Sequence, residues 1–131
     1  MAKITLNNLS HSYLTKQNND SDWALRGVNI DWKDGGAYAL LGPSGCGKTT
    51  LLNIISGLLK PTKGEVLFND KDVTTLNPVE RDIAQIFQFP VIYDTMTVYD
   101  NLAFPLKNRS LSENEIDNKV REIAEMLELT S

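Results

Sequence analysis

The sequence predicts an α/β fold with an antiparallel β layer, and three observations lead to that class. The apolar run at 37–41 predicts a short strand, and residues 48–55 show the apolar spacing of a helix. Between them, residues 42–50 read Gly-Pro-Ser-Gly-Cys-Gly-Lys-Thr-Thr and fit the phosphate-loop pattern G-x-x-x-x-G-K-[ST]. Two earlier segments, 4–13 and 23–32, are predicted to be strands, the second from its alternating polarity, and the loop between them closes a hairpin or an excursion.

The loop pattern has a physical rationale. Gly42, Gly45 and Gly47 permit backbone angles closed to other residues, so that successive N–H groups can turn inward around a phosphate. The phosphate would also face the N-terminus of the following helix, which carries about half a positive charge. Lys48 adds a full charge for the β- and γ-phosphates, and the Thr49 hydroxyl is placed to ligate Mg²⁺. The pattern predicts nucleoside triphosphate binding; the alternative is a glycine-rich turn that caps an ordinary helix.

The predicted nucleotide contacts span the whole loop. Thr50 is next in line for the α-phosphate, and Cys46 is expected to be a small filler rather than a nucleophile, because the backbone N–H groups do the binding. The loop residues predicted to bind are Gly42, Pro43, Ser44, Gly45, Cys46, Gly47, Lys48, Thr49 and Thr50.

The other elements follow in chain order. A polar loop at 16–22 separates the two N-terminal strands, and a turn at 34–36 leads into the strand before the phosphate loop. Gly57 ends the helix, and short strands are predicted at 65–69 and 82–87. Thr97 with Asp100, and Ser112 with Glu115, have the spacing of helix N-terminal capping motifs. One apolar face of the last helix is predicted from Ile116, Val120, Ile123, Ala124 and Leu127.

Composition narrows the class of protein. The 131 residues suit one small domain, and 13 Lys and Arg against 17 Asp and Glu give a net charge of −4, which disfavours a nucleic-acid partner. The single cysteine, Cys46, allows no internal disulfide and fits a reducing compartment. No signal-peptide stretch or bilayer-length apolar run is present, so membrane association is expected only through a protein partner.

From about Ile4 to Arg109 the chain resembles the N-terminal part of an ATP-binding subunit of an ABC transporter. Besides the phosphate loop, the resemblance rests on residues 84–90, Ala-Gln-Ile-Phe-Gln-Phe-Pro, and on 94–106, which are similar to the sugar- and polyol-importer branch. It implies a P-loop NTPase fold of the ABC type with an antiparallel β subdomain. Residues 1–88 would form that subdomain and the P-loop core, and 89–131 the start of a helical subdomain.

The resemblance also implies functional positions. Tyr13 matches the aromatic residue that stacks on adenine, and Gln88 matches the glutamine that contacts Mg²⁺ and the hydrolytic water. Lys48 and Gln88 are therefore the candidate catalytic residues, Thr49 and Gln88 the candidate Mg²⁺ ligands, and ATP with Mg²⁺ the implied cofactors. The implied partners are a second ATP-binding subunit and transmembrane permease subunits met through the segment after Gln88. Such a protein would lie in the cytoplasm, at the inner face of the cell membrane.

For the stacking ring and for the glutamine, the sequence also contains other candidate residues. His11 or Trp23 could supply the stacking ring instead of Tyr13, although His11 is expected on the surface of its strand rather than as a catalytic base. Gln88 could simply end a strand, whereas Gln85 alternates to the opposite face and is the weaker candidate for the glutamine.

An intact ABC ATPase also carries a segment like Leu-Ser-Gly-Gly-Gln, an apolar strand that ends in Asp followed by Glu, and a later His. None of these stands in the 131 residues. The chain is therefore expected to stop as the helical subdomain begins and to be catalytically incomplete alone, although the subunit it resembles drives uptake of a sugar or polyol. The alternatives are a non-catalytic nucleotide-binding fragment and a small P-loop kinase, which would need a lid and an acceptor pocket.

Overall fold

The computed structural model describes residues 2–89 and 91–129. The chain divides into two units, Met1–Gln85 and Ile86–Ser131, and each is described by itself. Within the described residues, no helix combines the length and the apolar character needed to cross a membrane.

The first unit contains a four-stranded antiparallel sheet. Its strands are β1 (Ile4–His11), β2 (Leu25–Trp32), β3 (Lys63–Phe68) and β4 (Lys71–Asp72), in the spatial order β2-β1-β3-β4. The predicted strands at 4–13, 23–32 and 65–69 are confirmed with small shifts of their ends, and the polar loop at 16–22 contains a single 3-10 turn, Asp20–Asp22. β4 was not predicted, because two residues are too short to show periodicity.

Strand register and helix packing create one core. Leu6 of β1 lies opposite Ile30 of β2 and Val66 of β3, so the three side chains share a face of the sheet. Helix α1 (Lys48–Ser56) covers this face with its buried apolar side chains. The buried members of this core are Leu6, Leu9, Leu25, Leu51, Ile54, Ile55, Val66 and Val73.

Two predicted strands are wrong. Residues 37–41 and 82–87 form no strand. A strand exists only where a neighbouring backbone completes its ladder, and none of the described residues pairs in a ladder with either segment. Leu41 is accordingly 92% exposed.

Side-chain contacts, rather than a ladder, attach the residue just before the second of these segments to α1. The buried guanidinium of Arg81 donates to the carbonyl oxygens of Ile54 and Ile55 at 2.8 and 2.9 Å. It also donates to the carbonyls of Leu76 at 2.9 Å and Thr74 at 3.0 Å. Arg81 thus adds a donor at two carbonyls in the last turn of α1, of which the Ile54 carbonyl also accepts from the Gly57 N–H.

The second unit pairs two helices, α2 (Val98–Lys107) and α3 (Glu113–Met126). Both predicted caps are confirmed: the Thr97 side chain accepts from the Asp100 N–H, and Ser112 forms a capping box with Glu115. The buried residues of this unit's core are Ala103, Ile116 and Val120. Of the predicted apolar face, Ile116 and Val120 are buried, whereas Ile123 is 40% and Leu127 55% exposed.

We expect Ser112→Ala to destabilise the second unit at neutral pH by about 1 kcal/mol, the usual cost of losing a side-chain cap. The hydrogen bonds from Ser112 lower the pKa of Glu115, so the stabilisation by this carboxylate is present above its ordinary pKa and is lost as the pH falls through the lowered value. The difference between wild type and variant should therefore shrink below about pH 4. Urea unfolding of both proteins across this range measures it; a difference that is constant with pH would contradict the assignment.

Candidate functional site

The predicted phosphate loop forms a turn that opens directly into α1. Gly45 (φ 81°) and Gly47 (φ 92°) both adopt the left-handed conformation predicted for them. A Cβ added at Gly45 would meet nothing within 4 Å, whereas one at Gly47 would lie 2.6 Å from the carbonyl oxygen of Ala24. Gly45 therefore leaves room beside the loop, and Gly47 lets the loop pack closely on the start of β2.

The N-terminus of α1 has no side-chain cap. Its N-cap is Gly47, and the first turn carries no acidic side chain. The other two helices satisfy their first N–H groups with Thr97 and Ser112. The first N–H groups of α1 are thus left to an external acceptor, and the positive end of the helix favours an anion there.

Lys48 is held over the loop. Its Nζ donates to the carbonyl oxygens of Gly42 and Pro43, each at 2.7 Å, and lies 3.5 Å from Sγ of Cys46. The ammonium group is therefore placed on the same side as the loop backbone, where an incoming phosphate oxygen would exchange with the two carbonyls. Ser44 and Thr49 are exposed beside it.

Tyr13 lies two residues after the end of β1 and contacts the first turn of α1. Its hydroxyl lies 3.0 Å from Oγ1 of Thr50, and its side chain is 66% exposed. The ring contacts that of His11 edge to face, with centroids 4.7 Å apart. The structure thus brings the predicted stacking residue to the predicted phosphate site.

The two competing rings are less available. His11 is only 6% exposed, so its prediction as a surface residue is wrong: the bulge in β1 and the pairing with Leu25 place it inside. Trp23 is partly buried, with Nζ of Lys63 5.2 Å from its ring centroid. Tyr13 is the one of the three that combines an open ring face with contact to the loop.

Gln88 lies in the second unit, exposed and in a bend of the chain. Its expected position at the end of a strand is wrong, because 82–87 is not a strand. The role of Gln88 toward Mg²⁺ and water stays a prediction. Gln85, in contrast, belongs to the first unit, where its Nε2 donates to Oδ1 of Asn53 in α1 at 3.1 Å.

A concave region of about 1150 Å³ is also lined by Lys48 and Thr49. Its remaining walls are mainly apolar, with Ile4, Leu40 and Phe68 among them. Tyr13 does not line it. We therefore place the candidate nucleotide site at the loop and Tyr13, where the backbone donors and the ring occur together, rather than in this cavity.

Sequence relatives point to one group of proteins. The chain is 50% identical over 113 residues to the trehalose/maltose import ATP-binding protein MalK of Thermococcus litoralis, covering 82% of this chain and 30% of that protein. It is 41% identical over 131 residues to the sn-glycerol-3-phosphate import ATP-binding protein UgpC of Cupriavidus metallidurans, covering 100% of this chain and 34% of that protein. The chain thus spans about a third of the length of these curated relatives.

Solved structures share its fold. An ATP-binding cassette of an ABC transporter matches 99% of this chain and 55% of its own, with a TM-score of 0.75 and 32% identity. A dimeric ATP-binding cassette in a post-hydrolysis state with ADP and Pi matches 95% of this chain and 57% of its own, with a TM-score of 0.76 and 30% identity. The fold is therefore the P-loop NTPase fold of these cassettes, with an antiparallel β subdomain. Because the family model described as ABC transporter also matches residues 25–131, the chain belongs to the ABC transporter family of ATP-binding domains.

Proposed function

We propose that this chain is the nucleotide-binding part of an ATP-binding subunit that drives solute import. The observation that carries the proposal is the uncapped start of α1 with Nζ of Lys48 held over the loop by two carbonyls at 2.7 Å. A backbone cradle, a helix N-terminus and a mobile cation together match the charge and shape of a polyphosphate. Family membership supports ATP as the nucleotide.

The loop residues fit ATP with Mg²⁺. Gly45 leaves open space where a phosphate oxygen would approach, and Thr49 is exposed in the first turn, so its hydroxyl is accessible as a ligand. Mg²⁺, when bound, would offset phosphate charge, with the Thr49 hydroxyl and the Gln88 side-chain oxygen as its proposed protein ligands. Lys48 would neutralise charge on the β- and γ-phosphates, and the exposed face of Tyr13 would stack on adenine.

The proposed partners are a second ATP-binding subunit and a membrane permease. The second unit supports a permease contact after Gln88, since several of its apolar side chains are exposed there: Phe89, Val91, Ile92, Tyr93 and Val98. The Asn101 side chain fixes this segment by accepting from the Tyr93 N–H and donating to the Tyr93 and Thr97 carbonyls. We propose a sugar or polyol as the imported solute, because the relatives named above import trehalose, maltose or glycerol 3-phosphate.

The decisive experiment is Lys48→Ala. We expect it to weaken binding of ATP with Mg²⁺ by about 10- to 100-fold, because a hydrogen bond to a charged group contributes about 1.5–3 kcal/mol. Isothermal titration calorimetry would measure the affinity. Lys60→Ala removes the same charge from an exposed site beyond α1 and serves as the control, with wild-type affinity expected. Unchanged ATP affinity in Lys48→Ala would contradict the proposal.

Turnover is a separate part of the proposal. Residues 1–131 contain no apolar strand that ends in Asp followed by Glu, the pattern that supplies the carboxylate for the attacking water in the family, so we propose that they bind ATP without hydrolysing it above background. Phosphate release from the same preparations tests this. Release that survives purification and disappears in Lys48→Ala would show that residues 1–131 are catalytically sufficient.

A further inference from the structure

The contact between Tyr13 and Thr50 links the residue proposed to stack on the base with the helix that follows the phosphate loop. Tyr13 follows β1, Thr50 lies in the first turn of α1, and the two residues are 37 positions apart in sequence. Their hydroxyl oxygens are 3.0 Å apart, within hydrogen-bonding distance. Stacking on a base uses only the ring face of Tyr13, so this hydrogen bond indicates a separate role for its hydroxyl.

We propose that Tyr13 acts on the phosphate end of the nucleotide through Thr50. The Tyr13 hydroxyl donates to Oγ1 of Thr50, and the Thr50 hydroxyl then donates its own hydrogen to the nucleotide phosphate. This relay rests on the proposed function, since it requires that the loop binds a nucleotide. It makes Tyr13 a positioning residue for phosphate as well as a platform for the base.

The direction of the relay follows from the two hydroxyl groups. A phenol O–H is a stronger donor than an aliphatic O–H, and Oγ1 of threonine has two acceptor lone pairs. Once Oγ1 of Thr50 accepts from Tyr13, its own hydrogen is free for another acceptor. Accepting one bond polarises that hydrogen and strengthens the next bond in the chain. Phosphate oxygen, which is charged and only accepts, is a suitable terminus.

Stacking and the relay are compatible. The hydrogen bond of a phenol lies near the plane of its ring, whereas a base stacks on the face. His11 contacts the ring at an interplanar angle of 87° and is itself 6% exposed, so the ring is held from one side. Thr50 is 8% exposed and is also held in place. Both residues are therefore oriented before nucleotide binds, which lowers the entropy cost of the contact.

The relay predicts a specific pattern of affinities. Tyr13→Phe keeps the ring and removes only the hydroxyl, so stacking alone predicts no change. The relay predicts about fivefold weaker binding, as for loss of one hydrogen bond. The loss should be equal for ATP, ADP and GTP, because the phosphate next to Thr50 is common to all three. It should vanish in a Thr50→Val background, where Tyr13 has no hydroxyl to polarise.

The experiment is a double-mutant cycle with calorimetric titration of the three nucleotides. It compares wild type, Tyr13→Phe, Thr50→Val and the double variant. Thr50→Ser retains a hydroxyl, so Tyr13→Phe should still weaken binding in that background; this pair keeps the test valid if Thr50→Val fails to fold. Tyr38→Phe is the matched control, because its hydroxyl accepts from the Lys33 N–H and lies outside the candidate nucleotide site.

Three results would overturn the relay: wild-type affinity in Tyr13→Phe, an equal loss in the Thr50→Val background, or a loss confined to adenine nucleotides. Lys48→Ala separates this failure from failure of the proposed function. If Lys48→Ala loses ATP and Tyr13→Phe does not, the phosphate site stands and the relay is wrong. If Lys48→Ala binds as wild type does, the phosphate site and the relay are both wrong.

Discussion

Arg81→Met should be among the most destabilising single substitutions in the first unit, lowering its free energy of unfolding by about 3–5 kcal/mol. The guanidinium donates to four carbonyl oxygens, two of them at the end of α1. Methionine fills a similar volume but donates to none of these carbonyls. The Ile54 carbonyl keeps its bond from the Gly57 N–H, whereas a buried polar group that loses its donor costs about 1–3 kcal/mol. Burial lowers the pKa of Arg81, opposed by the nearby Asp72 carboxylate, yet the group stays protonated at any working pH.

Urea unfolding with Arg26→Met as the matched control would measure this effect. Arg26 forms an ion pair with Asp20 in which both side chains are mostly exposed, and such a pair contributes little to stability because water screens it. Equal destabilisation by the two substitutions would show that the four hydrogen bonds of Arg81 contribute little. Arg81→Lys should recover only part of the loss, since an ammonium group lacks the planar fork that reaches all four carbonyls.

Gly47→Ala is expected to have the second large effect, on stability and on nucleotide binding together. At φ 92° an alanine is strained by about 1–2 kcal/mol. Its Cβ would also lie 2.6 Å from the Ala24 carbonyl oxygen and 2.9 Å from Cδ2 of Leu25. Because the first clash is with backbone, the loop must move, and overpacking adds about 1–3 kcal/mol. A displaced loop no longer presents its N–H groups to one phosphate.

Gly35→Ala separates the effect of the positive φ from the effect of the steric clash. Gly35 also has a positive φ, 72°, but a Cβ there meets nothing within 4 Å. It should show the conformational cost alone and bind ATP as wild type does. Thermal unfolding and ATP titration of both variants measure the difference. If Gly47→Ala resembles Gly35→Ala in both assays, close packing of the loop on β2 is not important for the site.

Local signals in the sequence were reliable in this chain. The loop at 42–50, the start of α1 at Lys48 and both helix caps lie where their patterns place them. Each of these signals is contained in fewer than ten consecutive residues, and the contacts that satisfy it lie in the same stretch. Apolar runs were less reliable, since 37–41 and 82–87 are apolar in pattern and yet form no strand.

The amino-acid sequence by itself therefore determined the phosphate loop, the helix that follows it and, through the resemblance carried by these motifs, the family. Only the tertiary structure decided which aromatic ring contacts the site: Tyr13 bonds to Thr50, and His11 is buried. It also decided that Arg81 donates to the carbonyls at the end of α1. The physical reason is distance along the chain. Loop geometry and helix caps depend on neighbours, whereas a hydrogen bond across 37 or 27 positions, like a strand's ladder, depends on what folding brings alongside.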